Sequence, residues 1–162
     1  MAELLDRALS PAALNAAWKR LQSDKTVWRP GLPRWEMEKN QVFHLLELVD
    51  DLRSGRYRPA PLRQFTIEKG DGKQRVLSAL SLRDKLIQRA VLSVLEPIGE
   101  QLFHNDSYGY RPRRNVEMAH RRACERIQCG LPWLVDADIA KFLDNIPNKK
   151  KKKTLKQYIP DR

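Results

Sequence analysis

Apolar residues recur at helical spacing along several stretches of this chain and alternate over shorter ones. Leu14, Trp18 and Leu21 share one face of a helix predicted over residues 11–22, with Ser10 as its cap and Pro11 at the first helical position. The stretch Trp28-Arg29-Pro30-Gly31-Leu32-Pro33 breaks the pattern and reads as a loop. Val42, Leu45, Leu46, Val49 and Leu52 mark a second helix, stopped at Gly55. Arg63 to Ile67 and Gln74 to Leu77 are β-like runs around Lys69-Gly70-Asp71-Gly72-Lys73, which predicts a hairpin with a basic tip. Ser81 followed by Asp84 is a capping-box-like start for a helix carrying Leu82, Leu86, Ala90, Val91, Val94 and Leu95 on its apolar face, with Pro97 as its end. Asp106 to Arg114 is a loop rich in Tyr and Arg, and Asn115 caps a helix running to about Gln128. The pattern has no internal repeats and describes an α+β chain, helix-rich in its first half.

After Gly130-Leu131-Pro132 comes Leu134-Val135-Asp136-Ala137-Asp138-Ile139, predicted as a short buried strand that turns into a helix by Ile146. Asp136 and Asp138 point to one side of that strand. Carboxylates on an otherwise apolar strand are costly unless they meet a cation, and a divalent metal at the strand tip answers the cost. The bland alternative for Asp138 is a strand-end cap bonded to backbone N–H groups.

Length and hydrophobic content add little: 162 residues at 41% hydrophobic suffice for one domain with a core. Charge adds more. Thirty-one Lys plus Arg against 20 Asp plus Glu leave +11. The arginines are spread from Arg7 to Arg126, so the basic character belongs to the folded body. It suits a polyanionic partner, nucleic acid ahead of a membrane surface, because no basic amphipathic helix stands out. The run Lys149 to Lys153 reads as solvated and poorly ordered. Cys124 and Cys129 are badly placed to bridge each other and lack a second pair for zinc, which fits a reduced, cytoplasmic setting. His44, His104 and His120 are scattered and read as core or surface residues. No signal peptide or long apolar span appears, and no membrane partner is expected.

Four blocks, taken in order, resemble the amino-terminal half of a bacterial reverse transcriptase of the group II intron lineage, including its CRISPR-associated relatives. They are Gly55-Arg56-Tyr57-Arg58-Pro59-Ala60-Pro61; the hairpin through Lys73-Gln74-Arg75; Leu82 to Ala90; and Ser107-Tyr108-Gly109-Tyr110-Arg111-Pro112 leading to Asp136 through Ile146. The likeness spans roughly residues 40–148. It implies fingers and an incomplete right-hand polymerase palm, divided as an N-terminal helix and loop (1–35), fingers with the start of the palm (36–130), the first palm motif (131–148) and a basic tail (149–162). It implies an RNA template, a DNA or RNA primer and an incoming dNTP. It also implies Mg²⁺ in the complete polymerase, lowering the pKa of the attacking primer hydroxyl and stabilising the leaving pyrophosphate. Further partners would be the remainder of the polymerase or CRISPR adaptation proteins.

Residue by residue, Asp138 matches the family's metal-binding aspartate and so carries both the catalytic and the metal role. Asp136 matches a variable position, and Asp144 suits a structural role at a helix start. Lys69, Lys73 and Arg75 resemble fingers residues that touch the triphosphate; a tight turn with several cations suits that ligand independently, and a solvated basic hairpin is the alternative. Arg83, Lys85 and Arg89 lie on the polar side of their helix. Arg111, Arg113 and Arg114 sit beside Tyr108 and Tyr110, a combination that can grip phosphates and stack on template bases or can pack on its own domain; for Arg111 phosphate contact is the expectation.

Three departures from the family pattern matter. The family's sugar-discriminating aromatic falls at Leu143 here, with Phe142 one place earlier, so exclusion of ribonucleotides is expected to weaken. Asn148 and the lysine run replace a histidine and an amphipathic helix. The Tyr-x-Asp-Asp turn of the second palm motif is missing, and Asp50-Asp51 is no substitute, so the chain alone is expected not to polymerise. The alternatives are a non-catalytic RNA- or DNA-binding or assembly module that retains the basic fingers, and a decayed reading frame without a settled fold.

Overall fold

The computed structural model describes residues 3–68, 70, 72–139 and 142–159, the side chains of Leu143 and Asp144 excepted. In chain order the elements are α1 (Glu3–Ala8), α2 (Pro11–Arg20), α3 (Arg34–Lys39), α4 (Gln41–Arg53), β1 (Arg63–Glu68), β2 (Gln74–Ala79), α5 (Leu82–Leu102), α6 (Val116–Gln128), α7 (Phe142–Asn145) and α8 (Asn148–Tyr158). The fold is α+β, mostly helical, with one antiparallel hairpin among the described residues. The chain divides into two compact units, Ala2–Val94 and Leu95–Arg162, and α5 contributes to both.

The core of the first unit is built from one stripe each of α2, α3, α4 and α5. Leu14, Ala17 and Trp18 of α2 meet Leu21, Trp28, Met37 of α3, Leu48 of α4, and Leu82, Leu86 and Ala90 of α5. Trp18 and Trp28 pack edge to face, 6.4 Å between ring centres. Pro11 starts α2 and the Ser10 hydroxyl accepts from the Ala13 N–H, as the sequence predicts. The Arg34 guanidinium covers Trp18 and donates to the Leu21 and Asp24 carbonyls, closing the turn after α2.

The start of α5 gathers this unit together. Its first N–H groups have no partner within the helix. Leu82 and Arg83 donate theirs to the carbonyls of Val27 and Trp28, 2.9 and 3.1 Å away, and Asp84 donates to the Ser81 hydroxyl. The buried Asp84 carboxylate accepts from the Ser81 hydroxyl at 2.7 Å, the Ala60 N–H at 3.1 Å and the Tyr57 hydroxyl. Burial, reinforced by the hydrogen bond to Asp84 and its charge, pushes the Tyr57 phenol upward, so it remains a donor. One residue further, Lys85 donates to Asp24 at 2.7 Å and to Thr26 at 2.8 Å. Burial pushes the Asp24 carboxyl up, but the hydrogen bonds from Lys85 and Thr26 prevail and bring it down to about 2.

Several expectations are corrected. Leu131–Ile139 is not a strand: it carries no regular structure and lies exposed, because no strand among the described residues is beside it to pair with its backbone groups. The run Lys149 to Lys153 is not irregular but forms the first half of α8. Lysine is a good helix former, and the helix turns Leu155 toward Ile139 and Phe142. Pro97 does not end α5, which continues to Leu102. A proline inside a helix costs about 3 kcal/mol, and here the apolar contacts of α5 and the Phe103 N–H bond to Gly99 offset it. Two short helices, α1 and α3, went unforeseen. On α4 the predicted Leu45, Val49 and Leu52 pack against the core around the fully buried Leu48, while Val42 and Leu46, at the margins of that stripe, face solvent.

Asp84→Ala strands three donors in a dry site and is expected to cost about 3 kcal/mol, against about 1 for Tyr57→Phe. Urea unfolding measures both; equal small losses would mean that the donors find other acceptors. Because the folded Asp24 value lies below its ordinary 3.8, its contribution is complete above that pH and is lost as pH falls toward about 2. Asp24→Asn is therefore expected to lower stability at neutral pH and to flatten the acid limb of a melting-temperature profile across that window.

Candidate nucleic-acid interface

The hairpin arises where two β-rich runs meet a glycine turn, with Gly72 at φ +75°. Its register places Arg75 opposite Ile67 and Leu77 opposite Phe65. Cross-strand partners share a face, so Arg75 stands at the tip end of an apolar face formed by Phe65, Ile67 and Leu77. All four positions but Leu77 are well exposed or nearly so along both strands, and Lys73 lies where the turn enters β2. Lys69 falls outside the described residues. Among the candidate triphosphate contacts, the structure therefore places Lys73 and Arg75 together at the tip side of the hairpin.

The helical cations have different surroundings. Arg83 stacks over the Tyr57 ring at 5.0 Å and donates to the Arg58 carbonyl, and its Nε is buried without a partner. Lys85 is engaged by Asp24 and Thr26. Arg89, a turn further on, is exposed. Of the three, Arg89 is the side chain presented to solvent.

In the second unit the loop before α6 is tied down by its own arginines. Arg111 lies 5% exposed and grips Glu100 through two bonds of 3.0 Å. It also donates to the carbonyls of His104 and Ser107 and lies over the Phe103 ring. The hydrogen bond from Arg111 holds the Glu100 carboxyl below its usual range. Arg114 donates to the Asn105 carbonyl and covers the Tyr108 ring at 5.5 Å. Asp106 receives Arg122 at 3.1 Å and Arg126 at 3.0 Å from α6, and its carboxyl is lowered chiefly by Arg122. Asn115 caps α6 by accepting from the Met118 N–H.

Tyr110 and Arg113 stand outside this clamp. Tyr110 has a positive φ of 56° and is fully exposed, and Arg113 has φ 58°. A bulky residue in the left-handed region is strained, and the strain persists only where the surroundings over-determine it. Residue type leaves base stacking and packing on the same domain evenly matched for Tyr108 and Tyr110; the structure sets Tyr108 under Arg114 and Tyr110 out in solvent. The sequence also gave no hint that Glu100 and Asp106 would hold the loop's arginines.

Asp136 and Asp138 are exposed on the segment Leu131–Ile139, beside exposed Trp133, Leu134 and Val135. Among the described residues no three acidic, His or Cys side chains lie close enough to hold a metal ion. A magnesium site takes several oxygen ligands, and Asp138 alone does not make one. Asp50 and Asp51 are occupied by Arg56. The side chains of Leu143 and Asp144 lie outside the described ones, so the sugar-discrimination and helix-start expectations gain no geometry here.

Arg111→Lys keeps the charge but loses the two-pronged grip on Glu100. Limited proteolysis is expected to cut within residues 107–114 several-fold faster in this variant, with the urea midpoint of the first unit unchanged. An unchanged cleavage rate would mean that the loop is held without the clamp.

The sequence pattern of the reverse transcriptase (RNA-dependent DNA polymerase) family matches residues 67–161, from β1 through the clamp loop and Asp138 into α8. The chain is 33% identical to Protein YkfC of Escherichia coli K12 over 98% of its own length and 43% of that protein. It is 32% identical to the group II intron-encoded protein LtrA of Lactococcus lactis subsp. cremoris over 85% of its length and 23% of the relative. It is 31% identical to the 91 kDa protein in the cob intron of Schizosaccharomyces pombe over 90% and 18%. The chain thus spans less than half of each of these relatives. No helix among the described residues is long and apolar enough to cross a membrane. By the match over residues 67–161, this chain belongs to the reverse transcriptase family, with group II intron-encoded proteins among its relatives.

Proposed function

We propose that these residues form the fingers and first palm segment of an RNA-directed DNA polymerase that holds an RNA template, its primer and an incoming dNTP. The observation that carries the reading is the continuous family match across the hairpin, the clamped loop and Asp138. In this reading Lys73 and Arg75, with Lys69, meet the triphosphate from the hairpin. Arg89 and Arg114 approach template phosphates, with Arg83 set deeper beside Tyr57. Tyr108 and its arginine-held loop face the template bases, and Arg111 serves by holding the loop in shape. Asp138 supplies one carboxylate to Mg²⁺, and the other ligands come from outside the described residues. Leu143 leaves room for a ribose hydroxyl. Two free cysteines, Cys124 and Cys129, fit a reducing, cytoplasmic setting.

A non-catalytic binding or assembly module is the second reading, for which the exposed cations of the hairpin and α5 suffice. In both readings the chain by itself binds nucleic acid without extending it. They separate in a longer polymerase that contains this segment. There Asp138→Ala is expected to lower primer extension on RNA by on the order of a hundredfold or more while leaving RNA affinity within about twofold. Extension that survives the substitution would remove Asp138 from the catalytic role; a longer protein that binds but never extends would favour the module.

A further inference from the structure

The lysine run acquires a geometry in α8 that the linear sequence conceals. At about 100° per residue, Lys149, Lys152, Lys153 and Lys156 fall within one stripe, at positions i, i+3, i+4 and i+7. Lys150, Lys151, Thr154 and Leu155 fall on the opposite side, where they line a groove with Ile139, Phe142 and Ile146. The helix thus turns one side to this open groove, where Leu155 stays half exposed, and presents a cationic stripe on the other. All four stripe lysines are exposed, and none makes an ion pair among the described residues. Four like charges stacked along one face repel one another and destabilise the helix unless an anion lies against them. The start of α8 at Pro147 has no side-chain cap and no acidic residue in its first turn to offset the charge.

We propose that this face of α8 is a binding site for the sugar–phosphate backbone of an RNA strand, additional to the hairpin and the clamped loop. The proposal rests on the polymerase reading for its choice of polyanion. The stripe is roughly 10 Å long at 1.5 Å per residue, enough to lie along more than one phosphate of a single strand. Lysine ammoniums suit such a row because each acts as a point charge and demands no fixed base geometry. A lipid headgroup layer is the poorer match. A helix lying in a membrane surface needs a broad apolar face to bury in the acyl region, and on that side α8 offers Leu155 and Tyr158 interrupted by Lys150, Lys151 and Thr154.

The test compares two double variants of the full chain that remove the same charge from opposite sides. Lys152→Gln with Lys153→Gln takes charge from the stripe; Lys150→Gln with Lys151→Gln takes it from the groove side. Binding of a 20-nucleotide oligouridylate is measured over a salt series. The stripe variant is expected to bind at least fivefold more weakly at low salt. Its slope of log affinity against log salt should be shallower by about 1.4, corresponding to about 0.7 for each lost single-strand contact. The groove-side variant should change each quantity by less than half as much. Equal losses in the two variants would overturn the stripe and leave a general charge effect, without touching the polymerase reading. No binding by the parent chain would overturn both. Stripe-dependent binding to phosphatidylserine vesicles but not to the oligouridylate would replace RNA with a membrane surface. Far-UV circular dichroism checks that both variants keep the helix content of the parent; where a variant loses helix, Lys152→Arg with Lys153→Arg serves instead and is expected to retain parental affinity.

Discussion

The first turn of α5 is the constraint on which the first unit depends. A helix start leaves donors without partners, and here loop carbonyls at Val27 and Trp28, a serine hydroxyl and a buried carboxylate take them up. Asp84 then turns outward to collect Tyr57 and Ala60, and Lys85 reaches Asp24. The segment after α4, the loop after α2 and the connection leaving β2 are all held by residues within four positions of one another. A buried carboxylate is tolerated because each of its oxygens is hydrogen-bonded; with one donor missing it would be a liability. The hydrophobic stripes around Trp28, Met37 and Leu86 supply the bulk of the stabilisation, while this polar knot selects the arrangement in which they meet.

That arrangement has a functional side. The chain leaves the knot at Ala60 and returns to it at Ser81, so the hairpin between them springs from two fixed points. A basic strand on such a base is better ordered than one on a free loop, which favours discrimination by geometry over attraction alone. In the second unit the same logic recurs with opposite signs: Arg111 is the buried ion, Glu100 and two carbonyls satisfy it, and Tyr110 is held out in strained backbone. Two of the blocks that make the chain resemble a polymerase, the start of α5 and the loop around Arg111, are thus internal braces that position exposed neighbours.

What could be read from the residues alone was whatever local chemistry decides. Ser10, Ser81 and Asn115 announce their helices through a side-chain oxygen, and Gly55 ends α4 in a left-handed turn at φ +70°. The hairpin followed from its glycines. What could not be read depends on distant partners. A strand at Leu134–Ile139 needs a neighbour to take its hydrogen bonds, and alternation of side chains does not supply one. That Leu48 lies fully buried while Leu46 stays in solvent depends on the core that α4 joins, and the placing of α8 depends on residues of α7 and the segment before it. At the candidate interface the residue types were legible, but their employment was not. Arg111, Arg83 and Lys85 appear in sequence as available cations and prove to be engaged within the fold.

The most direct measurement is amide hydrogen exchange of the chain with and without an RNA template annealed to a DNA primer. The account predicts new protection in β2 and in residues 107–114, with the hydrogen-bonded amides at the start of α5 unchanged. Protection confined to the start of α5, or none in either exposed region while the duplex is bound, would contradict it.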